Sequence, residues 1–214
     1  MTSVELVRGR NKLLAPKVLK ALNMRGFETV YCENREEAVQ SVMSLIPQGA
    51  SVTWGGSVTL DEIGVKDQLK AGDYRVIDRD TAKSVEERMD MMRQAFTTDV
   101  YLSSVNAMTQ DGELLNIDAV GNRVAAIAFG PKKVILIVGM NKICADMDSA
   151  RKRARTYTAP ANSLRLGIDV PCTKNGTCAN CQSPASICSY FVEMRRSKVP
   201  GRITVVLVNE DLGL

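Results

Sequence analysis

The chain has 214 residues, 45% of them hydrophobic and 24% charged, which excludes a disordered protein and is long enough to bury one sizeable core. A net charge of +4 admits an anionic small molecule but is too weak to demand nucleic acid, and the absence of histidine excludes His-based triads and His-ligated zinc. Aromatics are only 5%, so the core is aliphatic, as in buried parallel sheets.

In chain order, Val4 to Arg25 reads as a helix with apolar positions at Leu6, Leu13, Leu14, Val18, Leu19 and Leu22, interrupted or entered at Pro16 and stopped at Gly26. A short strand follows at Thr29 to Cys32. Asn34 and Glu37 then open a helix that ends before Pro47. Ala50 to Trp54 is a strand and Gly55-Gly56-Ser57 a tight loop. Thr59 with Glu62 three residues on has the spacing of a capping box for a helix Leu60 to Leu69. Tyr74 to Asp78 is a strand, Ser84 and Glu87 open a helix to about Phe96, and Val100 to Ser103 is a strand again.

Asp111-Gly112 signals a hairpin, and Val120 to Phe129 a short Ala-rich helix. The apolar run Lys133 to Gly139 is a central buried strand. A basic helix, Asp146 to Tyr157, precedes a cysteine segment, and Arg202 to Asn209 closes as a last strand. Alternating strands and helices predict a doubly wound α/β layer with a Rossmann-like, largely parallel sheet. One domain over 1–214 is expected, with a cysteine-rich insert at about 169–190. Neither GxGxxG nor a P-loop is present. No apolar run approaches a membrane span, and Met1 to Gly26, with Arg8, Arg10, Lys12, Lys17 and Lys20 scattered through it, has no uninterrupted apolar stretch, so a secretory signal is not expected. A cytoplasmic location is therefore expected, with reduced thiols.

Two constellations can carry chemistry. Gly55 and Gly56 let a ligand approach the main chain, Ser57 and Thr59 offer hydroxyls, and the helix start that follows favours an anion. The same residues also suit a plain tight turn with a cap. The second constellation comprises Asn106, Thr109, Asp111, Gly112, Asn116, Asp118, Gly121, Asn122 and Arg123. There Arg123 can pair bidentately with a carboxylate or phosphate, and Asp118 can act as a base or orient Arg123. A surface hairpin at Asp111-Gly112 and an N-cap at Asn122 are the plainer alternatives. Asn141 and Lys142 should fall on the same sheet edge, where Lys142 can bind an anion. Glu62 is a second candidate acid–base carboxylate.

The strings WGGSVTLDEIG (54–64) and NAMTQDGELLNIDAVGNRVAAIAFGPKKVILIVGMNKI (106–143), with the cysteine segment, resemble the lactate-utilisation (LUD, LutC/YkgG-like) family over nearly the whole chain. The resemblance implies the fold group of ribose-phosphate isomerase, glucosamine-phosphate deaminase and CoA transferase, with a site where the two constellations converge. Isomerase-type relatives place an acid before the Asx-Gly turn and a lysine after it. The comparable positions here are Asn106 and Ile117 or Asp118. An amide cannot act as a general base, so that chemistry is not carried over.

Cys172, Cys178, Cys181 and Cys188 follow a C-x5-C-x2-C-x6-C spacing, with Gly176 and Pro184 allowing the chain to wrap. Clustered thiolates bind zinc or iron–sulfur, and the single C-x-x-C step is nearer a cluster loop than a zinc ribbon. Disulfides or free thiols are the alternatives. The resemblance adds an iron–sulfur-based lactate-oxidising system with partner subunits, although many members lack the cysteines. The basic run Arg151, Lys152, Arg153 and Arg155 reads as a solvated helix rather than a nucleic-acid surface.

The reading is thus a protein of organic-acid utilisation, a redox-system component whose metal or iron–sulfur loop adjoins an anion pocket. A stand-alone enzyme on a phosphorylated sugar or acyl-CoA, and a metal-stabilised binding module without catalysis, remain the alternatives. A homo-oligomer is compatible with the sequence.

Overall fold

The computed structural model describes residues 1–214. Its larger sheet runs β1 (Glu28–Cys32), β10 (Ile203–Val208), β7 (Lys133–Gly139), β4 (Val100–Ser103), β2 (Ser51–Trp54), β3 (Arg75–Ile77), with every neighbouring pair parallel. β7 and β10 are apolar almost throughout, as strands covered on both faces must be. Their side chains alternate between two cores. Ile135, Ile137, Val206 and Val208 pack on one face with α2 (Arg35–Ser44), α3 (Val58–Glu62) and α4 (Val65–Ala71). Val134, Leu136, Val138, Val205 and Leu207 pack on the other with α1 (Ser3–Met24) and α6 (Asn122–Ala128). Helices on both faces of a six-stranded parallel sheet make the open, Rossmann-like α/β arrangement expected from the sequence.

The strand order decides where a ligand can sit. From β2 the chain moves outward to β3, then returns on β2's other side as β4. The loops after β2 and β4 therefore diverge at the carboxyl edge and leave a crevice, the usual ligand position in open α/β sheets.

A second sheet stands beyond this edge, in the order β8 (Ile143–Cys144), β5 (Ala107–Thr109), β6 (Leu114–Asp118), β9 (Tyr190–Met194). β5 and β6 form the expected hairpin around Asp111-Gly112. β8 and β9 were not expected from the sequence. β8 has two residues, and β9 leaves its side chains largely exposed, so neither writes an apolar alternation. β9 pairs antiparallel with β6, and Tyr190 stands opposite Asp118.

Some helix boundaries are corrected. The expected helix Leu60 to Leu69 is two short helices, α3 and α4, broken at Gly64 with φ 73°. The Thr59–Glu62 capping box does not form, because Thr59 lies inside α3 and both side chains have other partners. Gly121 with φ 85°, not Asn122, is the N-cap of α6. The basic helix is α7 (Met147–Arg153), capped by Asp146. It continues through a π-helical stretch at Ala154–Thr158 into α8 (Ala159–Arg165).

The hairpin tip is wedged against α1. Gly112 has φ 80°, and a Cβ there would stand 2.9 Å from the Leu22 amide nitrogen and 3.0 Å from the Ala21 carbonyl carbon. Backbone strain and a backbone clash coincide, so Gly112→Ala should cost about 1–3 kcal/mol in urea unfolding. An unchanged midpoint would show that the hairpin is free to move away from α1.

Candidate functional site

The crevice holds a cavity of about 260 Å³ at the carboxyl edge of the larger sheet. Gly56, Ser57 and Thr59 reach it from the end of β2, Arg79 from the end of β3, Ser104 and Asn106 from the end of β4, and Lys142 from just after β7. Asp118, Asn122 and Arg123 close it from the second sheet and the start of α6. Three guanidinium side chains, Arg79, Arg123 and Arg165, line it with the Lys142 amine and the Asp118 carboxylate. Such a cavity concentrates anions.

Arg123 holds this corner together. Its Nη1 donates to the Ser104 carbonyl (3.2 Å) and Asn116 Oδ1 (2.6 Å), and its Nη2 to Asn106 Oδ1 (3.0 Å) and the Ile117 carbonyl (2.6 Å). Asp118 Oδ2 lies 3.9 Å from Nε and accepts the main-chain N–H groups of Arg123 and Val124. That carboxylate does for α6 what its glycine N-cap cannot. The expected bidentate pairing of Arg123 with a ligand is thereby corrected. All four terminal N–H directions are already committed within the protein, so Arg123 offers a ligand its charge alone. Asn106 is likewise a structural acceptor, taking the Ile117 N–H as well. Asp118 lines the cavity, and its Oδ1 makes no hydrogen bond within the protein.

The reactive-looking groups are Lys142 and Arg79. Lys142 is the only buried lysine, 3% exposed, and donates to Thr59 Oγ1 (2.9 Å) and Ser104 Oγ (3.0 Å). It has no salt-bridge partner. Burial, and then the charges of Arg153 and Arg123, push its pKa down from 10.5 to about 7, with only Glu62 pulling the other way. Arg79 has no hydrogen bond or ion pair from its guanidinium, and its Nε is buried without a partner. Its Nη2 would stand 2.8 Å from a Cβ at Gly56, so glycine there leaves room for this guanidinium beside the cavity mouth. Residue patterns did not single out Arg79 or Ser104. The available signal was position, since each follows the carboxyl end of a parallel strand.

Other sequence candidates fall differently. Gly55 is buried and does not line the cavity, and a Cβ there would meet Arg123 Cδ and Tyr101 Oη at 2.9 Å, so it permits packing rather than ligand approach. Asp111 lies at the hairpin tip, where its carbonyl accepts from Arg25, away from the cavity lining. Gly121 packs on the Tyr190 ring. Glu62 is exposed, and its carboxylate accepts the Gly213 N–H at 2.6 Å. A Cβ at Gly213 would collide with Thr59 Oγ1 and come within 3.2 Å of Lys142 Nζ, so this tail segment lies against both groups. With five residues, α3 is too short for its N-terminus to act as an anion site by itself.

The lowered pKa gives a signed expectation. Between pH about 7 and 10.5 the unfolded chain holds a proton on Lys142 that the folded chain has released. Stability contributed by this group therefore rises with pH across that window, and the burial penalty is fully present below about 7. Urea unfolding of wild type and Lys142→Met over pH 6.5–9.5 (about the window set by the shift) should show that slope only in wild type. Equal slopes would mean that Lys142 titrates normally.

A second cavity, about 410 Å³, is lined by Cys172, Cys178, Cys181 and Cys188 together. All six thiols of the chain are free. The Asn180 N–H (3.5 Å) and the Arg155 guanidinium (3.8 Å) point at Cys178 Sγ. Burial raises the Cys188 thiol pKa, and the other three cysteines add to the effect. No three of these thiols, alone or with a carboxylate, stand close enough to share an ion. The donor chemistry nevertheless suits a thiolate-bound group: four sulfurs face one space, with N–H donors and a cation to offset thiolate charge. The two cavities adjoin. Ile187 lines both, and the Ser189 N–H, next to Cys188, donates to the Asp118 carbonyl at 3.1 Å. No helix is long and apolar enough to cross a membrane.

A family model described as the LUD domain matches residues 15–208, and that family points to lactate-utilisation-related proteins. Among solved structures, the chain is similar to a DUF162 family protein from Deinococcus radiodurans. The two are 11% identical with a TM-score of 0.56, over 92% of this chain and 98% of that one, a likeness of fold. No curated protein matches the chain.

Proposed function

Because the chain belongs to the LUD-domain family, we propose that it serves organic-acid utilisation of the lactate type, binding a short carboxylate in the smaller cavity and acting as a component of a redox system. One observation carries this reading: an unpartnered guanidinium, Arg79, and a buried amine, Lys142, open on the same small cavity. Arg79 grips the carboxylate. Thr59 and Ser104 hold the Lys142 amine in place at the ligand. Asp118, whose Oδ1 has no partner within the protein, accepts a proton from a ligand hydroxyl in this reading.

Cys172, Cys178, Cys181 and Cys188 would hold an iron–sulfur cluster, drawing the loop inward, with Arg155 and the Asn180 N–H supporting Cys178. Such a cluster supplies one-electron transfer, whereas zinc at the same thiols would supply order alone. Partner subunits would complete the redox chain.

The test is calorimetric titration of anaerobically prepared protein with lactate, pyruvate, a sugar phosphate and an acyl-CoA, alongside iron, sulfide and zinc analysis. Binding of the short acids, with stoichiometric iron and sulfide, is expected. Binding of the sugar phosphate or acyl-CoA alone would favour a stand-alone enzyme. Zinc without sulfide would overturn the redox role.

A further inference from the structure

Resting on the reading of the smaller cavity as an organic-acid site, we propose that Lys142 is a covalent nucleophile that forms an imine with the carbonyl carbon of a short 2-oxo acid. Three observations converge on it. First, the Lys142 amine is buried on the cavity wall and has no carboxylate partner. A structural lysine in such a position would be expected to carry a counter-ion, because an unpaired buried ammonium is costly. Here the nearby charges, Arg123 and Arg153, are of the same sign, which favours the unprotonated amine.

Second, the nitrogen's hydrogen bonds accommodate that form. A neutral amine has two N–H groups and one lone pair. The two donations go to Thr59 Oγ1 and Ser104 Oγ, leaving one position on the nitrogen uncommitted. Both hydroxyls also line the cavity and can relay protons. Third, a carbonyl compound that reaches this amine must be small and anionic. The volume is about 260 Å³, and Arg79 supplies a guanidinium with no protein partner for the acid's carboxylate.

The step balances without an outside reagent. The nitrogen lone pair bonds to the carbonyl carbon as the C–O π pair moves onto oxygen. Both nitrogen protons pass, through Thr59 and Ser104, to that oxygen. It leaves as water, and the C=N bond closes. A 2-hydroxy acid has no carbonyl and can occupy the site only non-covalently.

The test uses the full chain, pyruvate as probe and borohydride as trap, read by peptide mass mapping. The expected result is an adduct on Lys142, heavier by the acid less one oxygen, with no comparable labelling of other lysines. Lactate should compete it away, and Lys142→Arg should lack it. Because the label is mapped in wild type, the decision does not depend on the variant folding. Calorimetry in parallel separates the two levels. Pyruvate binding without a Lys142 adduct, or label spread evenly over surface lysines, overturns the imine and leaves the organic-acid reading standing. No binding of pyruvate or lactate overturns that reading and the imine with it.

Discussion

Arg123→Met is expected to lower unfolding free energy by about 3–5 kcal/mol, the scale of removing one member of a buried, hydrogen-bonded charge network. The substitution removes four hydrogen bonds at once, to the carbonyls of Ser104 and Ile117 and the side-chain oxygens of Asn106 and Asn116, of which Asn106 Oδ1 keeps the Ile117 N–H and the Ser104 carbonyl keeps the Ser103 hydroxyl. It also leaves Asp118 without its adjacent cation. Arg123→Lys should recover only part of the loss, because a single ammonium cannot reach acceptors served by two guanidinium nitrogens. Urea unfolding measures both. A loss below about 1 kcal/mol, the level of one ordinary hydrogen bond, would mean that the network is not a stabilising unit.

Cys178→Ser and Cys181→Ser are each expected to abolish bound metal in protein prepared without air, while the parallel sheet keeps its circular-dichroism signature. The segment between Cys172 and Cys188 is rich in Gly, Asn, Ser and Pro and has Ile187 as its one large aliphatic residue, and all of it is exposed or half-buried, so packing alone contributes little to its order. A thiolate-bound metal would replace that missing core and couple its binding to loop ordering. The β sheet core has no contact with this dependence, since its clusters draw on other residues, with only Cys188 packed against the small cluster around Leu115 and Ile117. Metal content unchanged in both serine variants would remove the cysteine loop as a metal site.

Strands whose burial is written in their own residues were legible in the sequence. Val100–Ser103 and Lys133–Gly139 were expected with the bounds they have, because an apolar, β-branched run between turn residues admits few other structures. β9 was not legible, since its pairing partner β6, rather than its own pattern, makes it a strand. Thr59 and Glu62 illustrate the opposite failure. Their spacing satisfies a local capping rule, but the buried Lys142 amine from beyond β7 and a main-chain N–H from Gly213 bind them instead.

The site divides in the same way. Gly56, Ser57, Thr59, Asn106, Asp118, Asn122, Arg123 and Lys142 stood out by residue type, and they line one cavity. Which of them has a free valence depends on contacts across four loops, so the saturation of Arg123 could not be read from its neighbours in sequence. Arg79 directly follows the expected strand Tyr74 to Asp78 and carries no motif of its own, and only the strand order shows that it reaches the crevice.

The most direct measurement is calorimetric titration of wild type and Arg79→Gln with a short carboxylic acid, pyruvate or lactate. Arg79 has no structural partner to lose, so the variant should fold as wild type does. Affinity should fall by about 1.5–3 kcal/mol, roughly ten- to a hundredfold, the scale of a charge-assisted hydrogen bond to the acid. Equal affinity of the two proteins for the acid would contradict the cavity's assignment as its binding site.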